Sequence, residues 1–169
     1  PLALCESPTV LGAPFYVMER VRGIILRGTA LTDGMDAAQS RALCQSMVRT
    51  LADVHSVDVH APAIAAFGNP EGYAARQVAG WTRRWQAALT GDVPTIERAA
   101  AWLAERVQGR PVRPARPALV HNDYKLDNLV LDPSDRTRVR AVLDWEMATV
   151  GDAALDLGTT LAYWSDADD

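Results

Sequence analysis

The chain contains very little lysine: of its seventeen basic residues only Lys125 is a lysine, and the others are arginines. Its two cysteines, Cys5 and Cys44, lack the spacing of zinc or redox sites, and such isolated thiols favour a reduced, cytoplasmic protein. No apolar run approaches the roughly 20 residues that span a membrane, so we expect no membrane partner. The net charge of -4 argues against nucleic acid as a partner. Neither a serine-hydrolase triad nor a glycine-rich phosphate loop is present.

The spacing of apolar residues predicts several helices followed by a small β element. A compact apolar run at residues 15–20 predicts a buried strand. Helices are predicted over about 36–57, 71–89, 95–107 and 153–164, and short strands over 118–120, 128–131 and 139–143. Residues 28–34 and 109–117 are predicted loops, and a turn at 132–135 predicts that the last two strands form a hairpin. This order of elements is typical of an α+β fold.

Polar side chains gather on two predicted loops, each next to a short apolar strand. Asp123 lies three residues after one strand, and Lys125 follows two positions later, so both side chains leave an extended loop on the same side. Asn128 is expected to begin the next strand. Asp144 is expected to end the strand after that, with Glu146 two positions further on. If those two strands pair, these side chains converge.

Converging side chains of this kind suit phosphoryl transfer, which needs positioned charge and bound magnesium more than covalent chemistry. Asp123 can accept a proton from a substrate hydroxyl, and Lys125 can neutralise charge on the transferred phosphate. Amide and carboxylate oxygens are ligands that Mg²⁺ prefers, which makes Asn128, Asp144 and Glu146 candidates to hold it. Any one of these residues could instead be a turn or cap residue. Taken as a set, they favour the catalytic interpretation.

The motif also resembles a known family. His121 to Asn128 is similar to the catalytic loop of protein kinases, His-Arg-Asp-x-Lys-x-x-Asn. Leu143 to Glu146 resembles the Asp-Trp-Glu form found in aminoglycoside phosphotransferases and choline kinases. From Val10 to Trp164 the chain is similar to the aminoglycoside phosphotransferase family, and within it to the kinase domains fused to acyl-CoA dehydrogenases. The resemblance implies a protein-kinase-like C-terminal lobe, mainly helical, whose β-hairpin carries the catalytic and metal loops.

The resemblance also implies roles for individual residues, with ATP and Mg²⁺ as cofactors and a small-molecule hydroxyl as acceptor. Asp123 resembles the catalytic base, and Asn128 and Asp144 resemble the magnesium ligands. His121 resembles the residue that braces the catalytic loop. Asp156 resembles the helix aspartate that anchors the backbone of that loop.

Near its start the chain resembles the end of the small lobe of these kinases. Residues 15–21 are similar to the last small-lobe strand and the hinge, so the backbones of Glu19 and Val21 would face adenine, with Met18 as gatekeeper. Residues 1–22 are then the end of the N-terminal lobe. Residues 23–169 form a C-terminal lobe with a helical substrate-binding insertion at about 58–117 and a truncated C-terminus.

The family's phosphate-covering loop, its strand lysine and the glutamate partner of that lysine all precede the hinge, and this sequence does not include them. We therefore expect a fragment that is inactive alone. A catalytically inactive binding or regulatory module is the alternative function. A metal-dependent phosphohydrolase is disfavoured because such enzymes cluster more carboxylates or histidines around paired metals. Aminoglycosides, choline-like alcohols, sugars, homoserine-like metabolites and hydroxyacyl thioesters all stay open as acceptors.

Three aromatic or imidazole side chains outside the motif have structural interpretations. His55 falls at the end of the first long helix and is interpreted as a helix-end or core residue. Trp81 and Trp85 share one helical face, for which core packing is the default interpretation. The alternative for these two residues is a wall of the substrate site.

Overall fold

The computed structural model describes residues 2–27, 34–108 and 116–164. The loops predicted at 28–34 and 109–117 lie mostly outside these residues. Along the described chain two strands precede a run of four helices, and four strands and a last helix follow: β1 Ala3–Cys5, β2 Phe15–Val17, α1 Ala37–His55, α2 Pro62–Ala65, α3 Tyr73–Ala87, α4 Pro94–Val107, β3 Pro117–Val120, β4 Leu129–Leu131, β5 Val139–Val142, β6 Thr149–Asp152 and α5 Ala153–Ala162. The predicted α+β class is confirmed.

Helix α1 is the largest element against which the catalytic segment packs. Asp36 begins it with a capping box: its carboxylate accepts the Gln39 N–H at 2.8 Å, and the Gln39 side chain accepts the Asp36 N–H at 3.0 Å. Its predicted apolar face, through Leu43, Met47 and Leu51, is buried. That face packs against β4 and Tyr124 in one core cluster. The segment after β3 is therefore seated on α1.

Two antiparallel strand pairs hold the polar loops. Strands β4 and β5 form the predicted hairpin, with Leu129 opposite Val142. Strand β3 pairs with β6, a strand that the sequence did not predict. Ile24 exchanges backbone hydrogen bonds with Leu131 at 2.9 and 2.7 Å, which attaches the segment after β2 to the hairpin. At Gly23 an added Cβ would collide with the Leu131 carbonyl, so this approach requires glycine.

The buried strand predicted at residues 15–20 is wrong in extent and in burial. Strand β2 covers only Phe15–Val17 and pairs with β1, and Tyr16 and Met18 are 62% and 55% exposed. The aromatic and β-branched residues of this run form a strand that pairs with β1, but the faces of this two-stranded sheet are largely open within the described chain. An apolar run therefore predicted the strand correctly but not its environment.

Helices α3 and α4 pack on each other beside β6. Helix α3 was predicted two residues longer at each end than it is, and α4 one residue shorter at its start, which is ordinary for helix ends. Pro62 is the first residue of the short helix α2, a position where its missing N–H costs no hydrogen bond. Across the described ranges no helix has both the length and the apolar character needed to cross a bilayer.

Candidate active site

The backbone of the loop after β3 is fixed by one buried carboxylate. Asp156, fully buried in α5, accepts the N–H groups of His121 at 2.9 Å and Asn122 at 2.7 Å. His55 Nε2 lies 2.9 Å from the same carboxylate. Burial acts to raise the pKa of Asp156, but these hydrogen bonds outweigh it and hold the pKa below its ordinary value. The anchoring contacts expected of Asp156 are present, and His55 is a helix-end residue that supports them.

His121 joins the two polar loops. Its ring is fully buried, and Nε2–H donates to the Leu143 carbonyl at 2.9 Å, because a carbonyl can only accept. Nδ1 then accepts the N–H of Asp123 at 3.3 Å. The Trp145 ring lies 4.9 Å from the His121 ring, centroid to centroid. The side chain thus spans from the base of one loop to the start of the other, which is the bracing contact that the resemblance implied.

Asp123 is half-buried in the loop that follows β3. Its Oδ1 accepts hydrogen bonds from Lys125 Nζ and from the Tyr163 hydroxyl, each at 2.9 Å. Its Oδ2 accepts from Asn128 Nδ2 at 3.0 Å. Burial acts to raise the pKa of Asp123, but donation from Lys125, Tyr163 and Asn128 keeps the pKa below its ordinary value. The carboxylate is therefore charged at neutral pH and can serve as a base.

Lys125 leaves the loop on the same side as Asp123, as the spacing predicted, and its Nζ also lies 2.9 Å from Oδ2. The hydrogen bond to Asp123 raises the pKa of Lys125 above its ordinary value. The ammonium group lies 4.9 Å from the centre of the Tyr163 ring, on its face. A permanently charged lysine at this place can neutralise negative charge on an incoming phosphate.

Asn128 and Asp144 lie on loops that touch. Asn128 ends a 3-10 turn, Leu126–Asn128, rather than beginning the strand as predicted, and its carbonyl accepts the N–H of Leu143 at 2.8 Å. Asp144 is therefore one residue from this contact. It adopts a left-handed conformation, with φ of 64°, and is exposed. Glu146 follows, exposed, in the 3-10 turn Trp145–Met147.

The side-chain oxygens of Asn128, Asp144 and Glu146 are of the type that binds Mg²⁺, and they are too few to enclose a metal ion without water or substrate. Over the described ranges, no group of three or more His, Cys, Asp or Glu residues is placed to hold a metal ion. The Asn128 amide nitrogen is occupied by Asp123, whereas its oxygen accepts no hydrogen bond from a described residue. The same holds for the carboxylates of Asp144 and Glu146 within this part of the chain. Mg²⁺ is usually held by one or two carboxylates together with waters and substrate phosphates, and oxygens of this kind are compatible with that mode of binding.

The predicted hinge residues lie apart from this cluster along the chain but are attached to the same hairpin. Met18 and Glu19 are exposed after β2, and Val21 is half-buried. Arg140 in β5 donates to the carbonyl of Arg22 at 3.2 Å. The segment is thus held beside β4 and β5. Their nucleotide-binding roles stay predictions.

A large cavity opens next to the catalytic loop. Its volume is about 1050 Å³, and it lies between α3, α4 and the start of α5, reaching Asn122. The Tyr73 hydroxyl donates to Asn122 Oδ1 at 2.6 Å, and Asn122 Nδ2 donates to the Met147 carbonyl at 2.9 Å. These bonds hold Asn122, with φ of 65°, at the edge of the cavity. The cavity therefore reaches the residue that precedes the candidate base in the chain.

The walls of this cavity correct the interpretation of the helical tryptophans. Trp81 is 53% exposed, so core packing is wrong for it, and both Trp81 and Trp85 line the cavity. The guanidinium of Arg84 lies 4.8 Å from the centre of the Trp81 ring. Arg76 also lines the cavity, and no acidic residue of the described chain does. The wall is therefore aromatic and basic.

Sequence reasoning missed three residues of the site. Tyr163 contacts Asp123 across 40 positions, and Tyr73 contacts Asn122 across 49. No spacing rule reports contacts over such distances. Asn122 lies inside the catalytic motif, and an asparagine between two fixed residues of a tight loop is a usable signal for a left-handed conformation.

Comparison with known proteins gives one family and several relatives. The phosphotransferase enzyme family (APH) matches residues 1–169. Acyl-CoA dehydrogenase family member 10 of Mus musculus is 39% identical over 164 residues, which is 96% of this chain and 15% of that protein. A crystal structure of a putative aminoglycoside phosphotransferase of Ralstonia eutropha is 36% identical, with a TM-score of 0.83, and the match covers 98% of this chain and 49% of that one.

A more distant structural match shows the fold alone. The GDP and kanamycin complex of APH(2")-IIia is 22% identical with a TM-score of 0.56, over 86% of this chain and 49% of that chain. The chain thus spans about half the length of the solved structures it matches and a much smaller share of the dehydrogenase relative. Both the kinase-like fold and the similarity to acyl-CoA dehydrogenase-associated domains, implied by the motifs, are confirmed.

Proposed function

The chain belongs to the phosphotransferase enzyme family, and from that premise we propose that its full-length protein transfers the γ-phosphoryl group of ATP to a hydroxyl of a small molecule. The observation that carries the proposal is the double contact of Asn128. Its side chain donates to Asp123, and its backbone accepts from Leu143, next to Asp144. A base and two metal-binding oxygens are thereby held on two adjoining loops.

In the proposed reaction Asp123 accepts the proton of the acceptor hydroxyl. The acceptor oxygen forms a bond to the γ-phosphorus while the bond from that phosphorus to the β–γ bridging oxygen breaks, and ADP leaves. Lys125 lies beside Asp123 and offsets negative charge on the phosphoryl oxygens. Mg²⁺, held by Asn128 and Asp144 with Glu146 nearby, would supply further positive charge to the phosphates. His121 and Asp156 keep the two loops in register.

The nucleotide is proposed to lie between the segment after β2 and the hairpin. Backbone groups of Glu19 and Val21 would contact adenine, and Met18 would border it. The bond from Arg140 to the Arg22 carbonyl supports this placement, because it keeps the segment beside the strands that lead to Asn128 and Asp144. The similar fold of a protein seen with GDP and kanamycin also supports a nucleotide donor.

The acceptor is proposed to occupy the cavity that ends at Asn122, within the insertion at about 58–117 and the start of α5. Trp81, Trp85 and Leu103 offer an apolar wall, and Arg76 and Arg84 are its charged side chains. A polycationic acceptor would need carboxylates there. The wall instead suits a hydroxyl compound with an apolar body and a neutral or anionic character.

The test is Asp123→Ala in the full-length protein, with ATP consumption measured against a broad panel of alcohols. We expect turnover to be lost while MgATP still raises the melting temperature. Asp127→Asn, at an exposed position of the same loop, is the control and should keep turnover. Near-normal turnover in Asp123→Ala would show that Asp123 is not the catalytic base. Absence of both turnover and a MgATP shift in the unmodified protein would favour a binding or regulatory module.

A further inference from the structure

The carboxylate of Asp123 has a donor at each of its hydrogen-bonding positions. Oδ1 faces Lys125 Nζ and the Tyr163 hydroxyl, both at 2.9 Å. Oδ2 faces Lys125 Nζ at 2.9 Å and Asn128 Nδ2 at 3.0 Å. A carboxylate offers about four lone-pair positions. An acceptor hydroxyl can therefore bond to Asp123 only after one of these donors has moved away.

Of the three donor residues, Tyr163 is the one that can leave at least cost. Asn128 is buried and donates a second hydrogen bond to the Asp123 carbonyl at 2.9 Å. Lys125 is held by opposite charge and lies two residues away. Tyr163 caps the C-terminal end of α5, is 53% exposed, and forms a single hydrogen bond to Asp123 among the described residues. Its departure from Asp123 breaks that hydrogen bond and the contact between its ring and the Lys125 ammonium.

We propose that Tyr163 is a placeholder: its phenol occupies the base Asp123 until the hydroxyl of the acceptor displaces it. The inference rests on the proposed function. A phenol and an alcohol present the same group, an O–H that donates to a carboxylate, so the Tyr163 oxygen marks where the acceptor oxygen would bind. The ring of Tyr163 also lies over the Lys125 ammonium at 4.9 Å. The side chain of Tyr163 thus covers both the Asp123 carboxylate and the Lys125 ammonium.

The consequence is a barrier to wasteful hydrolysis of ATP. If water reached Asp123 beside bound ATP, its proton would pass to Asp123 and its oxygen would form the bond to the γ-phosphorus. The bond to the bridging oxygen would break, and ADP and inorganic phosphate would leave. While the Tyr163 phenol is bonded to Oδ1 of Asp123, a water molecule cannot bind at that oxygen in the same position. An acceptor bound in the neighbouring cavity has the binding energy to displace the phenol, whereas water does not.

The experiment uses the full-length protein with MgATP and no acceptor, and measures the release of inorganic phosphate. Tyr163→Phe keeps the ring over Lys125 and removes only the hydroxyl. We expect its phosphate release to rise roughly three- to tenfold, the factor that corresponds to losing one partly exposed hydrogen bond. Tyr163→Leu also uncovers Lys125, and its release should rise at least as much. Trp102→Phe is the control, since Trp102 is exposed on α4 and does not line the cavity beside Asn122, and it should not change the rate.

With an acceptor present, Tyr163→Phe should lower the acceptor KM and leave kcat undiminished. Phosphate release equal to or below that of the unmodified protein, or a clear fall in kcat, would overturn the placeholder and make Tyr163 a residue that positions Asp123. Adding Asp123→Asn to Tyr163→Phe should abolish the extra release. If Asp123→Asn alone keeps normal turnover, the proposed function itself fails. The two failures are therefore separable.

Discussion

His121 donates from Nε2 to the carbonyl of Leu143 at 2.9 Å, and this bond crosses from the loop of Asp123 to the loop of Asp144. The same ring accepts the N–H of Asp123 through Nδ1. Since Leu143 also donates its own N–H to the Asn128 carbonyl, both backbone groups of Leu143 are bonded to the loop that carries Asp123. One of these two bonds, and with it part of what fixes Asp123 relative to Asp144, comes from the buried imidazole of His121.

The first prediction concerns this imidazole. His121→Ala should lower the free energy of unfolding by about 3 kcal/mol, because it leaves a cavity and an unpaired Leu143 carbonyl. Turnover should fall as well, since the loop of Asp144 loses its brace. Urea unfolding at neutral pH measures the stability. His60→Ala, at an exposed position, should change it by less than about 0.5 kcal/mol. Equal stability of the two variants would contradict the brace.

The second prediction is a pH dependence at Asp156. Hydrogen bonds hold the folded-state pKa of Asp156 below its ordinary 3.8. The stability that its charge contributes is therefore complete above about pH 4 and is lost as pH falls through the lower folded-state pKa. Asp156→Asn should destabilise the protein by about 2 kcal/mol at pH 7, and the difference from the unmodified protein should shrink toward pH 3.

The measurement is the difference in unfolding free energy between the unmodified protein and Asp156→Asn at several pH values. Asp53→Asn serves as the control, because Asp53 is exposed on α1, and its difference should stay near zero throughout. A difference for Asp156→Asn that is constant from pH 7 to pH 3 would mean that its charge does not contribute to folding.

The part of the site that could be predicted consists of residues that lie close together in the sequence. Asp123, Lys125 and Asn128 lie within six consecutive residues between apolar strands, so few backbone paths exist and their proximity follows from the chain itself. Tyr163 meets Asp123 only because α5 ends where it does, and helix ends are the least readable feature of a sequence. Contacts of the first kind could be predicted from residues alone, and contacts of the second kind could not.

Burial was harder to predict than secondary structure. Helical spacing correctly placed Trp81 and Trp85 on one face of α3, but periodicity cannot distinguish a face that meets a packed core from one that meets a cavity. The apolar run at residues 15–17 likewise formed a strand whose side chains are largely exposed. Strand β6 was missed because Thr149 to Asp152 shows no clear alternation and gains its place only by pairing with β3.

The third prediction addresses the metal. Asp144→Asn removes a charged oxygen, so the Mg²⁺ concentration for half-maximal turnover should rise by at least about tenfold. Glu146→Gln separates direct binding from an outer role: a smaller rise than in Asp144→Asn indicates that Glu146 acts through water. Titration of turnover with Mg²⁺ at saturating ATP measures both. An unchanged Mg²⁺ requirement in Asp144→Asn would exclude Asp144 as a ligand.

The fourth prediction uses a pair of tryptophans to locate the acceptor. Trp81 on α3 and Trp102 on α4 are both 53% exposed, and each carries an arginine over its ring, at 4.8 and 4.7 Å. Only Trp81 lines the cavity next to Asn122. Trp81→Ala should raise the acceptor KM by about tenfold or more, since it removes apolar contact area from the bound acceptor, and should leave the KM for ATP unchanged. Trp102→Ala should change neither constant. Equal effects of the two substitutions on the acceptor KM would place the acceptor outside this cavity.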